Sequence, residues 1–415
     1  MKICWFHLMP YTELPEDFKE KHPGVWVEVD SSLFDPARAH VMYNDFMDEL
    51  EFAAGQGFDA ICVNEHHSNG YGLMPSPNLI ASSLARRTKD TMLCVMGNSL
   101  ALYNPPIRVA EEFAMIDVIS GGRLIAGFPV GTPMDTCYAY SQNPSLLRPR
   151  YYEAIDLIKR AWENPKPFAY NGRFNQYRYV NIWPRPIQKP RPPVWVPGSG
   201  SVETWRMCAE NDFVYAYLSY WGYKSGIQVM NGFWNEMKQM GIEPNPYRAG
   251  FLQAVGVAET RAEAVKLYEE PANYFYNRCL HLDPKFTQPP GYTSEATVRA
   301  KLDSQIVKAA AQATLARPAD AEMDNILEKG HVIIGSPDEV ADQLREVAVN
   351  LNVGHLMLLM QFGNMSKEVT NYNTQLFAEK VMPQLRGLFD DKWEDHWWPQ
   401  PMPAAQRVAP MAVPA

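Results

Sequence analysis

Three ionisable residues, Glu65, His66 and His67, stand side by side in the stretch ICVNEHHSNGYG. They follow an apolar run at residues 60–64, which predicts a buried strand. Neighbouring side chains on a strand point to opposite faces, so the two histidines cannot both face solvent or both face the core. Because histidine titrates near neutral pH, one of them is a candidate proton carrier, and the other is better explained as a structural histidine.

No metal centre is predicted around this triplet. Adjacent histidines on a strand diverge, and the sequence has no HExxH motif and no second cluster that would complete a ligand set. The six cysteines are scattered, without a CxxC pair or zinc spacing. Cys4, Cys62 and Cys94 lie within apolar, strand-like runs, which predicts buried free thiols.

A glycine- and serine-rich turn is a second candidate, because it joins the apolar run 194–196 to a helix that opens at Glu203. Small residues let backbone amides approach a phosphate, and the helix N-terminus adds the positive end of its dipole. The turn has neither the GK[ST] of a P-loop nor the third glycine of a dinucleotide fingerprint. Taken alone, such a turn is more often only a helix cap. Its residues are Gly198, Ser199, Gly200 and Ser201.

Two further stretches could contribute to a binding site. Gly97, Asn98 and Ser99 close the apolar run 92–96, and Gly97 either lets the backbone approach such a ligand or marks a simple bulge. Residues 215–223 (YAYLSYWGY) hold more aromatic side chains than a solvated turn needs, so they line a pocket or pack into the core.

These candidates need a scaffold that brings strand ends together. Short apolar strands alternate with helical stretches along the chain, which is typical of parallel βαβ units. Eight such units predict an α/β fold, a (β/α)8 TIM barrel, rather than a doubly wound sheet, because no GxGxxG follows the first strand. The predicted strands are residues 2–6, 60–64, 92–96, 124–128, 194–196, 213–218, 251–257 and 356–360.

Two regions exceed the connections that a barrel needs, namely residues 10–35 after the first strand and 267–330 after the seventh. Both follow strand ends on the face where barrels build active sites, so they are lid candidates or plain insertions. We expect residues 1–390 to form one barrel domain, with residues 391–415 as a proline- and alanine-rich tail. The tail packs on the barrel or on a partner subunit through Trp393, Trp397 and Trp398.

The composition indicates a globular protein, with 46% hydrophobic and 20% charged residues. A net charge of −9 and the lack of a lysine- or arginine-rich run argue against a nucleic-acid partner. No run reaches the roughly 20 apolar residues of a membrane helix, and the N-terminus does not resemble a signal peptide. The expected location is therefore the cytoplasm, without a membrane partner.

Four further motifs follow the Glu-His-His triplet in order: MPSPNLIASSLARRT, GNSLALYNPPIRVAEEFAMIDVISGGRLIAGF, PGSGSVET and GSPDEVADQL. Together with the triplet they resemble the bacterial luciferase-like flavin-dependent monooxygenase family. The resemblance covers roughly residues 1–387 and is most specific over residues 65–128.

The resemblance implies a (β/α)8 barrel that binds reduced FMN (FMNH2), supplied by a separate NAD(P)H-dependent flavin reductase. O2 would add to the flavin to give a C4a-(hydro)peroxide, which transfers one oxygen atom to a small organic substrate. Glu65, His66 and His67 would form the catalytic group beside flavin and substrate, with one histidine handling the proton. Residues 97–99 would lie beneath the flavin ring, where relatives often have a non-prolyl cis peptide, and residues 198–201 would hold the phosphate.

The chain departs from the family pattern after the fourth strand. Relatives commonly read GFxRG there, with an arginine near the flavin, whereas this chain reads GFPVG, with Pro129 and Val130. The change removes a cation from the flavin site. Arg148 or Arg150, downstream, could replace it, or both could be simple surface cations.

Two other functions stay open. A deazaflavin-dependent hydride-transfer oxidoreductase would use the same barrel, although the Glu-His-His triplet and the NPPIRVAEE block favour FMN. A non-catalytic flavin-binding protein has only the missing arginine in its favour, and a hydrolase is disfavoured because no GxSxG elbow occurs. The family also implies a homodimer formed through helices near residues 78–119. The sequence does not identify the substrate.

Overall fold

A closed parallel barrel is the central feature of the computed structural model, which describes residues 1–218, 220–303 and 323–408. Its strands, in chain order, are β1 Lys2–Phe6, β2 Ala60–Val63, β3 Met92–Val95, β4 Leu124–Gly127, β5 Phe168–Asn171, β6 Gln176–Val180, β7 Val194–Gly198, β8 Val214–Tyr217, β9 Ala249–Val257, β10 Val332–Gly335 and β11 His355–Leu359.

Eight of these strands form the barrel. β1 pairs with β2 on one side and β11 on the other, and β8 pairs with β9, so the ring β1-β2-β3-β4-β7-β8-β9-β11 is closed. The predicted (β/α)8 fold is therefore confirmed. The hairpin β5–β6 and the strand β10, which pairs with the end of β9, were not predicted, because runs of four or five residues carry little periodic signal.

Helices connect the strands, and side chains at their first turns fix where they begin. The carboxylate of Asp35 accepts from the backbone amides of Ala37 and Arg38, and Ser336 forms a capping box with Glu339. The helices are Phe18–Lys21, Pro36–Gly55, Pro77–Arg87, Ile107–Ser120, Pro144–Glu163, Val202–Asn211, Gly222–Gln239, Arg261–Tyr274, Glu295–Asp303, Met323–Glu328, Pro337–Leu351, Lys367–Leu376 and Met382–Leu385. Among the described helices, none is both long and apolar enough to cross a membrane.

The side chains that fill the barrel come from alternate strand positions. The ring of His355 on β11 lies 4.5 Å from the ring of Trp195 on β7, three strands away, so both point inward. Trp5 on β1 points outward, because its Nε1 donates to Thr374 on a surrounding helix. Phe6, the next residue on β1, therefore points inward, and so does Cys62, its partner on β2. Along each strand, every second residue from these positions also faces the barrel interior.

The C-terminal tail closes the N-terminal end of the barrel. Trp398 stacks on His355 with the ring centroids 5.8 Å apart, and the same histidine pairs through Nε2 with Asp395 at 3.0 Å. Trp397 is buried and Trp393 is partly buried against the core. Of the two expectations for the tail, packing on the barrel is confirmed, and residues 409–415 lie outside the described residues.

Both long insertions gather at the other end, where the strands' carboxyl ends open. In the first insertion, the Val25 amide donates to the His281 carbonyl at 2.8 Å, and the Val25 carbonyl accepts from the Gly70 amide at 3.1 Å. These bonds join the first insertion to the second and to the loop after β2. The insertions therefore cover the face on which barrels build active sites. Residues 304–322 of the second insertion lie outside the described residues.

Candidate active site

Asp135 organises the polar cluster at the carboxyl end of β2. It lies in a short π-helical segment after β4 and is 2% exposed. Its Oδ2 accepts from His66 Nδ1 at 2.9 Å and from the Thr132 hydroxyl at 3.0 Å. Its Oδ1 accepts from the His67 amide at 2.8 Å and from Trp26 Nε1 at 3.0 Å. Four donors thus hold this carboxylate between the first insertion and the loop after β2.

His66 is oriented by this carboxylate. Since Asp135 accepts from Nδ1, the neutral imidazole carries its proton on Nδ1 and leaves Nε2 as a proton acceptor. The ring packs edge-on against Trp26 and Tyr71, with centroids 5.0 and 4.9 Å away. By strand alternation His66 continues the inward-facing positions of β2. It is therefore the histidine whose free nitrogen can exchange a proton with a ligand in the mouth.

His67 belongs to a second network, built around Glu65. Its Nε2 lies 2.9 Å from Glu65 Oε1, and its ring meets Tyr140 edge-on at 4.6 Å. The Glu65 carboxylate also accepts from the Ser99 amide at 2.6 Å and from the Tyr103 hydroxyl at 3.0 Å. These contacts tie the loop after β2 to the loop after β3, and they are typical of groups that position a site.

The segment after β3 is strained, but not by a cis peptide. The cis peptides of the described residues all precede proline, at Asn104–Pro105, Trp183–Pro184 and Lys189–Pro190, so a non-prolyl cis bond at residues 97–99 is not found. Asn98 instead adopts a φ of +68° and exchanges two side-chain hydrogen bonds with Asn78. A Cβ on Gly97 would lie 2.8 Å from the Cβ of Glu65, so only glycine fits where the two loops touch.

The turn at residues 198–201 leads into a helix N-terminus, as an anion-binding turn does, but a side chain of the protein already forms hydrogen bonds there. Ser199 is exposed, and Ser201 begins the helix Val202–Asn211 without a side-chain cap bond. The hydroxyl of Thr297, from the second insertion, accepts from the Val202 amide at 3.3 Å. The helix N-terminus is therefore covered by a residue that sequence reasoning did not find.

Glu203 is an internal anion at the same turn. Burial raises the pKa of its carboxyl, but hydrogen bonds from Ser294, Thr297 and Ser201 outweigh this effect and lower the pKa below its usual value. The Thr297 hydroxyl donates to Glu203 Oε2 at 2.8 Å. A phosphate bound at the turn would compete with Glu203 for these hydroxyls.

Arg148 places a cation beside the turn. Its Nη1 donates to the Thr204 hydroxyl at 3.3 Å, in the first turn of the helix, and its buried Nε has no partner among the described residues. Arg150 instead lies over the ring of Phe174, 4.6 Å from its centroid. Of the two candidates for replacing the family's arginine, Arg148 lies at the turn and Arg150 does not.

Aromatic rings form a wall around the mouth. Trp26 stacks on Tyr71 with centroids 4.7 Å apart, Tyr71 meets Tyr220 at 5.8 Å, and Tyr220 meets Phe275 at 5.4 Å. The aromatic segment 215–223 therefore has two roles. Tyr220 belongs to this wall, whereas Tyr215 is core and packs outward against the helices.

Two buried amides face the mouth from the barrel interior. Asn64 and Gln361 continue the inward-facing positions of β2 and β11, and they are 4% and 0% exposed. Asn64 Oδ1 and Gln361 Oε1 accept no hydrogen bond from the part of the protein that the structure describes. Such acceptors fit a ligand that brings its own N–H groups, as the ring of a reduced flavin does. Within the described ranges, no group of three or more side chains is placed to hold a metal.

The sequence-predicted residues lie at the carboxyl ends of β2, β3 and β7. A hydrogen bond joins residues 65–67 directly to residues 97–99. The turn 198–201 is linked through the second insertion to the loop after β4, since the Tyr292 hydroxyl donates to the Gly131 carbonyl at 2.6 Å and Thr297 contacts Ser201. Sequence reasoning missed Asp135, although a carboxylate soon after the GFPVG loop was a usable signal.

Comparison with known proteins identifies the family. The model for luciferase-like monooxygenases matches residues 30–354. The chain belongs to the luciferase-like monooxygenase family. Over 164 residues it is 33% identical to the oxygenase component of a flavin-dependent trigonelline monooxygenase from Acinetobacter baylyi, an alignment that covers 37% of this chain and 43% of that protein. Over 361 residues it is 25% identical to 4-hydroxyprotoasukamycin monooxygenase from Streptomyces nodosus subsp. asukaensis, covering 85% of this chain and 90% of that protein.

Solved structures show the same fold. The oxygenating constituent of 3,6-diketocamphane monooxygenase from Pseudomonas putida, in complex with FMN, superposes with a TM-score of 0.68 at 18% identity and covers 92% of this chain and 98% of that one. An F420-dependent secondary alcohol dehydrogenase superposes with a TM-score of 0.62 at 16% identity, covering 93% of this chain and 99% of that one. The predicted family and barrel are confirmed, and both cofactor types occur on this fold.

Proposed function

We propose that this luciferase-like protein is the oxygenase component of a two-component system that uses reduced FMN and O2 to insert one oxygen atom into a small organic substrate. The observation that carries the proposal is the pair of His66 and Asp135, a histidine oriented by a buried carboxylate at the carboxyl end of a barrel strand. The relative named as an oxygenase component supports the two-component assignment.

In this proposal, His66 handles the proton. Asp135 accepts from Nδ1, so Nε2 can take a proton from the bound ligand and return it. Glu65 and His67 keep the loops after β2 and β3 in place around it. His67 is the second candidate for the proton handler, because its Nδ1 remains available once Nε2 is paired with Glu65.

In this proposal, residues around the mouth would hold the flavin. The turn 198–201 would hold the phosphate, with Arg148 in place of the family's arginine, and residues 97–99 would lie beside the ring. When bound, reduced FMN supplies the electrons that activate O2. The protein would contribute position and a dry surrounding, with the packed rings of Trp26, Tyr71 and Tyr220 limiting access of water.

Deazaflavin-dependent hydride transfer is the second candidate function. It is favoured by the F420-dependent dehydrogenase that shares the fold. FMN is the preferred cofactor because the aligned relatives are named monooxygenases, and oxygen transfer needs a flavin that reacts with O2.

The experiment is an anaerobic titration of the protein with reduced FMN and, separately, with reduced F420, followed by mixing with oxygenated buffer. We expect saturable binding of reduced FMN and a rate of flavin reoxidation that differs from that of free reduced FMN. Candidate substrates are then tested with labelled oxygen, and the product should gain one labelled atom. Binding of F420 without binding of FMN would replace the proposal by the second candidate.

The proposal includes two protein contacts, a separate NAD(P)H-dependent flavin reductase and a second copy of the chain. The helices Pro77–Arg87 and Ile107–Ser120 expose apolar side chains that support the homodimer, namely Leu79, Met115, Val118 and Ile119. Sedimentation of the wild type should give twice the chain mass, and Met115→Glu should shift it to the monomer. A monomeric wild type would remove the dimer from the proposal.

A further inference from the structure

Asn64 and Gln361 stand on either side of β1 at the bottom of the mouth. Phe6 at the end of β1 pairs with Cys62 on β2 and with Leu359 on β11. Asn64 and Gln361 each come two residues later, so they share the inward face and the same level. Two strand spacings separate them, roughly 10 Å, which one three-ring heterocycle can span.

Neither amide oxygen accepts a hydrogen bond from the described residues, and the Gln361 amide is also held in one orientation. Gln361 Nε2 donates to the Gly363 carbonyl at 3.3 Å, which turns Oε1 toward the other side. The buried Asn373 shows a fully paired amide for comparison, since it donates to two main-chain carbonyls and accepts from a main-chain amide. A buried acceptor without a donor destabilises the folded chain until a ligand supplies the donor.

We infer that Asn64 and Gln361 are the acceptors for the ring N–H groups of the bound reduced flavin. This inference rests on the proposed function. Each group has an oxygen without a donor, so a ligand bound there would donate, and reduction of the flavin adds an N–H at N5 to the one at N3 that both redox states carry. His66 lies two residues beyond Asn64 on the same inward face. The pair therefore recognises the ring beside the proposed proton handler and favours its reduced state.

The test uses Asn64→Leu and Gln361→Met, which keep side-chain volume and remove the acceptor. Anaerobic titrations measure the dissociation constants of reduced FMN and reduced riboflavin. Each substitution should weaken both ligands by the same factor, roughly tenfold, because both contain the ring and only FMN has the phosphate. The double variant should lose more affinity for reduced than for oxidised FMN, and each tenfold of difference lowers the two-electron potential of the bound flavin by about 30 mV.

A matched control is Gln253→Met. Gln253 is a buried glutamine on β9 that faces outward, and its Nε2 donates to the His331 carbonyl at 3.0 Å. Its Oε1, like that of Gln361, accepts nothing from the described residues, so the two variants differ in whether the unpaired oxygen faces the barrel interior. This variant should keep the wild-type affinity for both flavins. Without ligand, Asn64→Leu should melt no lower than the wild type, because the removed oxygen accepts nothing from the described protein, whereas Gln361→Met also loses the bond from Nε2 to the Gly363 carbonyl. A merely structural role for Asn64 would lower the melting temperature of the Asn64→Leu variant instead.

Failure of the proposed function and failure of this inference give different results. If the wild type binds no reduced FMN, the proposed function fails. If the wild type binds it and both variants bind with unchanged affinity, the inference is wrong, and the acceptors belong to another ligand. A loss of affinity for FMN but not for riboflavin also overturns the inference, since the ring would then not be the recognised group.

Discussion

Replacing Asp135 with asparagine should separate the orientation of His66 from the integrity of the site. The amide oxygen can keep the two bonds of Oδ1, from Trp26 and His67. The amide NH2 in place of Oδ2 can donate to Thr132, whose hydroxyl rotates, but it cannot accept from His66. His66 then carries its proton on Nε2 and accepts at Nδ1. The variant therefore presents a proton where the wild type presents an acceptor.

The expected losses of rate and of stability in Asp135→Asn have different sizes. General acid–base catalysis contributes about 10²–10⁴-fold, so reoxidation of bound reduced FMN by O2 should slow by about 100-fold or more. Exchanging charge-assisted for neutral hydrogen bonds lowers the free energy of unfolding by roughly 1–2 kcal/mol. In a chain of 415 residues this shifts the melting temperature by only a few degrees. Activity should thus fall far more than stability.

Stopped-flow mixing of the anaerobic complex with O2, across a range of pH, measures this difference. Thr132→Val is the matched variant, because it removes the other donor to Oδ2 and leaves the carboxylate and the tautomer of His66 intact. It should lose comparable stability and little rate. An Asp135→Asn rate equal to that of the wild type would refute the role given to the tautomer. Equal losses of rate in both variants would show that the rate follows packing instead.

Two further predictions concern buried charge. Glu203→Gln removes the internal anion from the turn 198–201, so reduced FMN should bind up to about tenfold more tightly, while reduced riboflavin, which lacks the phosphate, should bind unchanged in the same titration. Burial, and then Lys329, lower the pKa of His331 to about 4 from 6.5, so the unfolded chain takes up this proton well before the folded protein does. The contribution of His331 to the free energy of unfolding should fall by up to about 3 kcal/mol between pH 6.5 and pH 4. In urea unfolding measured across this pH range, His331→Phe should therefore show a smaller fall in the free energy of unfolding than the wild type.

The barrel could be predicted from the sequence because its strands are continuous apolar runs with helical stretches between them. β2 and β3 differ from their predicted bounds by a single residue at the end. The strand β10 was not predicted because it has only four residues, between an insertion and a helix. An apolar run of that length is equally compatible with a strand and with a buried helix segment. Its place in the sheet is set by the end of β9, a contact between distant parts of the chain.

The site residues that directly follow a strand could be predicted from the sequence, whereas those that a loop brings in could not. Glu65, His66 and Gly97 lie two or three residues beyond strand ends, so their position follows from the barrel. Asp135 reaches His66 through a π-helical segment whose path is set by bonds to Trp26 and Thr132. Local propensity carries no signal for that path.

The two insertions supply the parts of the site that the barrel strands cannot. Trp26, from the first, donates to Asp135 and stacks on the ring that packs against His66. Thr297, from the second, covers the helix N-terminus at the turn 198–201 and bonds to its internal anion. The strand ends thus position the groups that would react, whereas the insertions decide how those groups are oriented and what can reach them. Since insertions vary most freely within a fold, this division explains why the motifs identify the family and leave the substrate undetermined.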